Sequence, residues 1–364
     1  MILLEDVETE SGLAAVTSRI LSAVAEPFAV DHHVTRITAS LGVALAEPGD
    51  DPVSLISNAD AAMYQAKGEQ RGGFGFFDRK MRARILRELE VAAALKDALT
   101  AGELTAHYQP IVSLADGRVL AVEALARWPH PQWGWVSPTE FIPLAERNGM
   151  IIPLGMWMLA EAARQASAWR KQYPDALPSG VFVNVSPRQL SQPNFVQFLT
   201  ETLSDHDANP SDLGIEITEH VFIDTAAQLD QNLVALTQMG IRFSLDDFGT
   251  GYSPLSSLRR FPLAALKIDS SFTSDISCDT DSHPITTAVI NLAHGQRLLA
   301  IAEGVETKEQ AERLRQLGCD AAQGYYFARP QSASELTGLL ETHLPLAGTP
   351  TRAGRAQSVS ARSG

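Results

Sequence analysis

Six strand-like stretches set polar or charged positions in apolar company. Val119–Leu125 is apolar except for Glu123, Val181–Val185 except for Asn184, and Ile215 and Ile217 flank Glu216. Asp246 and Asp247 close the stretch beginning at Arg242, Lys267 lies in Leu266–Asp269, and Glu303 follows Ala300-Ile301-Ala302. A charge inside an apolar strand is costly to bury unless it is paired or holds a metal. Each of these residues therefore needs a partner. Five carboxylates and one amide oxygen drawn to one place would repel one another without a cation. Oxygen-only ligation favours Mg2+ or Mn2+ over zinc, which prefers His or Cys. The adjacent Asp246-Asp247 pair suggests two ions with Asp246 shared. Two ions roughly 3.5–4 Å apart clamp the attacking and leaving oxygens of a phosphoryl displacement. Metal-dependent phosphodiester hydrolysis is the chemistry this set predicts.

Taken singly, the same residues have plainer readings. Glu123 or Glu303 alone is a paired structural carboxylate, Asn184 a strand-end cap and Lys267 a salt-bridge partner; six strand ends carrying such residues together are hard to reconcile with packing alone. His220 and His294 have no His or Cys at i+4, so they read as core or surface residues. Trp128, Trp133 and Trp135 are candidates either for stacking on a base or for core packing and loop anchoring.

Something must bring these strand ends together. From about Ala101, short apolar strands alternate with longer helical segments, with strand candidates at His107–Leu114, Val119–Arg127, Val181–Val185, Gly214–Glu219, Arg242–Phe248, Leu266–Asp269, Ala300–Val305 and Ala322–Phe327. Eight strands over 101–345 approach the roughly 250 residues of an α/β TIM-type (β/α)8 barrel, whose active sites form at the C-terminal ends of the strands. Only Ala115-Asp116-Gly117 separates the first two strands, whereas a parallel crossover needs a dozen or more residues. The first strand is therefore predicted to be antiparallel.

Ahead of the barrel, residues 1–78 read as a small α/β segment. Its expected elements are a strand at Ile2–Leu4, a helix at Ser11–Ala25, a strand at Arg36–Leu45, a helix at Pro52–Lys67 and a strand at Phe74–Phe77. The second helix places Leu55, Ile56, Ala59, Met63 and Ala66 on one face. Residues 79–100 form a connecting helix, apolar at Met81, Ile85, Leu89 and Ala92. Its basic residues Arg79, Lys80, Arg82, Arg84 and Arg87 read as a solvated face rather than a nucleic-acid patch. Residues 346–364 lack apolar periodicity and read as a disordered tail.

The balance of 29 basic and 43 acidic side chains gives a net charge of −14, which disfavours binding to a DNA or RNA polymer. Cys278 and Cys319 lack metal-ligand or disulfide-framework spacing, which fits a reducing cytoplasm. No apolar run reaches the roughly 20 residues of a membrane span, and Met1–Glu10 lacks the basic start of a signal peptide.

The order of the motifs resembles that of the EAL phosphodiesterases of bacteria. They are Glu-Ala-Leu-Ala-Arg at 123–127, Asn-Val-Ser-Pro at 184–187, Glu-Ile-Thr-Glu at 216–219, Asp-Asp-Phe-Gly-Thr-Gly-Tyr at 246–252, Leu-Lys-Ile-Asp at 266–269, Ala-Glu-Gly-Val-Glu-Thr at 302–307 and Gln-Gly-Tyr at 323–325. The resemblance implies metal-dependent linearisation of cyclic di-GMP to pGpG. It implies Glu123, Asn184, Glu216 and Asp246 as ligands of one ion, with Asp246, Asp247 and Glu303 around a second. Lys267 would hold or polarise the nucleophilic water, with Glu303 as a further candidate base. Arg127 would meet a substrate phosphate and Gln323 would lie near substrate or bound water. Glu219 would fasten the Phe248–Ser257 loop and support a homodimer through the barrel. The alternative readings are a non-catalytic cyclic di-GMP receptor and a signalling scaffold; an intact ligand set argues against both.

Pro254 and Ser270 depart from the family pattern, standing where a Ser is usual and an Arg is common, and Arg297 lies in a segment where Gly is frequent. Thr-Ala-Ser-Leu-Gly-Val-Ala at 38–44 and Ala-Asp-Ala-Ala-Met-Tyr-Gln-Ala-Lys at 59–67 resemble the second half of a GGDEF diguanylate cyclase domain. Its Gly-Gly-Asp-Glu-Phe turn is absent from this sequence, so no cyclase activity is expected.

Overall fold

Seven parallel strands and one antiparallel strand close into a barrel in the computed structural model, which describes residues 1–4, 10–30, 33–46, 51–69, 72–174, 180–222, 227–249, 261–276 and 283–340. The strands are β1 (Thr105–Ser113), β2 (Val119–His130), β3 (Val181–Asn184), β4 (Leu213–Thr218), β5 (Arg242–Phe248), β6 (Leu263–Ile268), β7 (Leu299–Ala302) and β8 (Ala321–Ala322). Neighbours pair in chain order, and β1 closes the ring by running antiparallel to both β2 and β8. The antiparallel first strand follows from the short β1–β2 turn. The last strand is much shorter than Ala322–Phe327. Phe327 and Ala328 donate their N–H groups to the Gly324 carbonyl, so the chain turns there instead of extending.

Two apolar layers hold the barrel. The outer one packs the strands on the helices, with Leu159, Ala162 and Ala163 of Ile151–Gln172, Leu199 of Phe195–Asp205, Leu233 and Leu236 of Ala227–Met239, and Ile290 and Ala293 of Pro284–Gly295 all buried. The inner one is small: Ile111, Ala121, Phe182, Ala265, Ile301 and Ala321, one from each of six strands. Phe182 fills much of this interior because its neighbour in register is Gly214. A Cβ on Gly214 would lie 2.3 Å from the Phe182 ring. Gly214→Ala is therefore expected to overpack the barrel and cost about 1–3 kcal/mol, read as a lower urea midpoint; an unchanged midpoint would contradict this account of the interior.

At Arg297 the backbone takes φ +62 in the turn that follows the helix Pro284–Gly295. Left-handed backbone costs a residue with a Cβ roughly 1–2 kcal/mol, a cost that glycine largely avoids. With the side chain exposed, Arg297→Gly is expected to raise the thermal midpoint, for a gain of about 1 kcal/mol. A lowered midpoint would show that the side chain contributes more than the strained backbone costs.

The chain divides into two compact units at Ala94/Leu95. In the first, strands Leu41–Val43 and Phe74–Phe76 pair in parallel, and Phe28–Val30 and His33–Thr35 form a hairpin. Helices span Glu10–Ala25 and Pro52–Glu69, the latter opened by Asp51, whose carboxylate accepts from the Val53 and Ser54 N–H groups at 2.8 and 2.9 Å. Three expectations change here. Residues 1–4 form no strand, and the Arg36–Leu45 strand shrinks to Leu41–Val43. The helix 52–69 turns Ala62 and Ala66 inward and leaves Ile56 and Met63 exposed. The reason is close approach: a Cβ on Gly42 would meet the Ala59 carbonyl, and one on Gly75 the Ala62 carbonyl at 3.1 Å. Small residues therefore face the glycine-bearing strands.

The helix Arg79–Ala101 likewise buries Val91, Leu95 and Ala98 while Leu89 is exposed. The side chains of Arg79, Lys80, Met81 and Arg82, the residue Cys278, the loop 250–260 with Gly251, Pro254 and Ser257, and the tail 346–364 lie outside the described residues. Among the described residues, no helix is long and apolar enough to cross a membrane.

Candidate active site

The site lies one pleat above the inner apolar layer. Side chains two apart on a strand share a face, so Glu123 follows Ala121, Asn184 follows Phe182, Lys267 follows Ala265, Glu303 follows Ile301 and Gln323 follows Ala321. Glu216 on β4 is in register with Asn184. Asp246 comes from β5. Gln109 on β1 is registered opposite Glu123. Each strand, or the first residue beyond it in β7 and β8, thus gives at least one polar residue to the ring.

Lys267 sits at the centre of this ring, fully buried. Its Nζ lies 2.6 Å from Glu303 Oε1, 2.8 Å from Glu216 Oε2, 3.2 Å from Asp246 Oδ1 and 3.5 Å from Glu123 Oε2. Burial alone would push this amine down, but Glu123, Glu216, Glu303 and Asp246 hold it well above the usual lysine range. It therefore stays an ammonium. One positive charge serves four carboxylates, and the imbalance appears in their proton affinities. Burial holds Glu216 well above the usual carboxylate range despite Lys267. Burial also pushes the Glu303 carboxyl up to about 8; Lys267 opposes the rise, while Asp246 and Glu123 add to it. Glu123 behaves differently. Burial raises it, but Lys267 and hydrogen bonds from Gln323 and Asn184 outweigh that and leave it lowered.

Asp246 and Asp247 are neighbours on one strand, and regular pleating would turn them to opposite faces. The β5–β6 pairing is irregular between Leu245 and Phe248, and Asp247 has φ +54. This local distortion aims both carboxylates at one mouth, a strained geometry of the kind found at functional sites. One oxygen each from Glu123, Glu216 and Asp246 lies within 4.8 Å of the others, and so does one each from Asp246, Asp247 and Glu303. The two clusters share Asp246.

Loop geometry fixes Glu303 just beyond β7. Its N–H donates to the Ile268 carbonyl at 3.0 Å, its own carbonyl accepts from Thr273 Oγ1, and Gly304 follows at φ +66. The next helix, Lys308–Gln316, opens on a capping box between Thr307 and Gln310. Glu219, buried, accepts the Gly249 N–H on Oε1 at 2.9 Å and so holds the first residue after β5. Arg127, half-buried, donates Nη1 to the Ala126 carbonyl at 2.9 Å; burial lowers its guanidinium below the usual range, and the Glu123 carboxylate opposes that. Gln323 is buried, with both amide protons engaged: Nε2 donates to Glu123 Oε2 at 2.6 Å and to Gln109 Oε1 at 3.0 Å.

Trp128 is core, fully buried and donating Nε1 to Glu103 Oε2 at 3.2 Å. Trp133 stacks on His130, while Trp135 is exposed. His294 accompanies Asp320 at 2.9 Å near the surface; the His220 side chain lies outside the described residues.

The donor set fits hard divalent cations. All the candidate ligand atoms are oxygens, the carboxylates outnumber the one ammonium, and Glu216 Oε1 is buried with no hydrogen-bond partner among the described residues. An EAL domain match extends over residues 92–330. The chain belongs to the EAL domain family. A match to the diguanylate cyclase GGDEF domain covers residues 1–73 of the same chain. The EAL chain is 39% identical over 345 residues to the bifunctional diguanylate cyclase/cyclic di-GMP phosphodiesterase MucR of Pseudomonas aeruginosa, spanning 92% of this chain and 49% of MucR. It is 36% identical over 326 residues to the cyclic di-GMP phosphodiesterase PdeR of Escherichia coli, spanning 89% of this chain and 49% of PdeR. It thus spans about half the length of these relatives. A solved structure of the MucR phosphodiesterase in complex with c-di-GMP aligns with a TM-score of 0.64 and 39% identity, covering 68% of this chain and 99% of that one.

The protonated state of Glu303 sets a pH dependence. At pH 7 a carboxyl pushed up to about 8 holds its proton, and a cation must displace it. Mn2+ affinity in the EAL domain is therefore expected to rise by up to about tenfold per pH unit between pH 6 and 8 and then level off. Calorimetric titrations at three pH values test this, and a flat profile would contradict it. The same group's contribution to the stability of the metal-free chain is present below the ordinary carboxylate range and is lost as pH rises through about 8.

Proposed function

We propose that this EAL domain is a cytoplasmic phosphodiesterase that hydrolyses one 3′ ester of cyclic di-GMP to linear pGpG, using two Mg2+ or Mn2+ ions and acting as a homodimer through the barrel. The observation that carries the reading is the pair of oxygen clusters sharing Asp246. Family membership and the names of MucR and PdeR support the substrate.

Glu123, Asn184, Glu216 and Asp246 would hold one ion, and Asp246, Asp247 and Glu303 the other. When bound, the ions supply Lewis acidity toward the phosphoryl oxygens. The remaining work belongs to the chain. Glu123 offers an ionised oxygen, being the carboxylate that its neighbours hold low. Arg127 presents a guanidinium fork to a substrate phosphate. Lys267, held as an ammonium, can donate to a water oxygen and hold it for attack, but it has no lone pair with which to take a proton. Glu303, whose Oε1 lies 2.6 Å from the Lys267 Nζ, is the further candidate for that task. Glu219 anchors the start of the loop after β5 through Gly249.

The test is incubation of the purified chain with cyclic di-GMP and Mn2+, followed by chromatography. Accumulation of pGpG is expected. Binding of the dinucleotide without product would favour a receptor, and sedimentation as a monomer would remove the dimer.

A further inference from the structure

Gln109 has no assigned role in the chemistry above, yet it is the β1 member of the polar ring. It is buried and opposite Glu123 in register. Its Nε2 donates to the Ala328 carbonyl at 3.1 Å, and its Oε1 accepts from Gln323 Nε2 at 3.0 Å. Gln323 Nε2 in turn donates to Glu123 Oε2 at 2.6 Å. A backbone carbonyl can only accept, so Ala328 fixes which end of the Gln109 amide faces which way. The oxygen of Gln109 then fixes the Gln323 amide, since the reverse orientation would bring two N–H donors together. The result is a directed chain, Ala328 to Gln109 to Gln323 to Glu123. It ends on a carboxylate of the candidate metal cluster and leaves Gln323 Oε1 buried with no hydrogen-bond partner among the described residues.

We infer that Gln109 is a positioning residue for divalent-cation binding, acting through Gln323 on the orientation of Glu123. The inference rests on the two-ion reading of the ring. Without Gln109, the Gln323 amide keeps only its hydrogen bond to Glu123 Oε2 and loses the anchor that ties it to the Ala328 carbonyl, so the oxygen that must face a cation is no longer held in place. Groups that orient metal ligands typically contribute about 10–100-fold in metal affinity.

The experiment is calorimetric titration of Mn2+ into the full chain and three variants: Gln109→Met, Gln323→Met and the double substitution. Methionine keeps the length of the side chain and removes the amide. Each single substitution is expected to weaken Mn2+ binding by about tenfold or more, and the double to do little more than either, because a relay broken once is broken. Two independent losses that multiply in the double variant would overturn the relay, as would unchanged Mn2+ affinity in folded Gln109→Met. Should Gln109→Met fail to fold, Gln109→Asn carries the test. It keeps an amide in the cavity but is too short to span the Ala328 carbonyl and Gln323, so Mn2+ binding should weaken as in Gln323→Met; an affinity equal to that of the unsubstituted chain would overturn the inference. An unsubstituted chain that binds no Mn2+ would overturn the two-ion reading and the relay together, whereas Mn2+ binding untouched by Gln109→Met removes the relay alone.

Discussion

Asp246→Ala is expected to lower cyclic di-GMP hydrolysis by at least about a hundredfold, beyond the loss typical of residues that merely support a ligand. The reason is its shared position. Asp246 contributes to the cluster with Glu123 and Glu216 and to the cluster with Asp247 and Glu303, so one substitution removes an oxygen from both. It also relieves like-charge crowding, because its carboxylate is one of those that raise Glu216 and Glu303. The variant should therefore fold at least as well as the unsubstituted chain in EDTA while losing Mn2+-dependent turnover. Steady-state hydrolysis together with a urea unfolding curve separates the two effects. Retained turnover in a folded Asp246→Ala protein would show that the ring is not the metal centre.

Lys267→Met should produce the largest stability change, and it should depend on metal. The ammonium lies against Glu123, Glu216, Asp246 and Glu303, and the methylenes that carry it are buried with it. Removing one partner of a buried ionic set costs about 3–5 kcal/mol because the remaining charge is left uncompensated. Here the carboxyls can soften the loss by taking up protons, so the destabilisation in EDTA should grow from pH 6 to pH 8. Added Mn2+ should restore much of the stability, since divalent cations neutralise the same oxygens, but not turnover, since the donor to the attacking water is gone. A Lys267→Met protein as stable as the unsubstituted chain in EDTA at both pH values would contradict this electrostatic account.

Much of the ring was legible in the sequence because seven of the eight strands are parallel. In those strands a polar residue preceded by apolar residues has one place to go, and Glu123, Asn184, Glu216, Asp246, Lys267 and Glu303 meet there. Gln109 escaped the same reasoning because β1 runs the other way. Its mouth-facing residue lies in the middle of the strand, before Ile111 of the inner apolar layer, where the rule of strand ends does not look. Registering β1 against β2 across the short Ala115–Gly117 turn was the available signal.

Gln323 shows a second limit. A motif places it beside the site, but its direction is set by Gln109 and Glu123, contacts across strands that no local spacing encodes. The front unit failed in another way. Apolar periodicity favoured Ile56 and Met63 as the inward face, whereas the near-absence of side chains on Gly42 and Gly75 drew the small residues of the helix onto the strands. Close packing of glycine against alanine carries little hydrophobic signal, and a pattern of large apolar residues misses it.

Anomalous diffraction from crystals soaked in Mn2+ would examine the cation cage itself. Two peaks are expected at the mouth of the barrel, one among Glu123, Asn184, Glu216 and Asp246 and the other among Asp246, Asp247 and Glu303. Lys267 still bridging the carboxylates, with no anomalous density at the ring, would contradict the account.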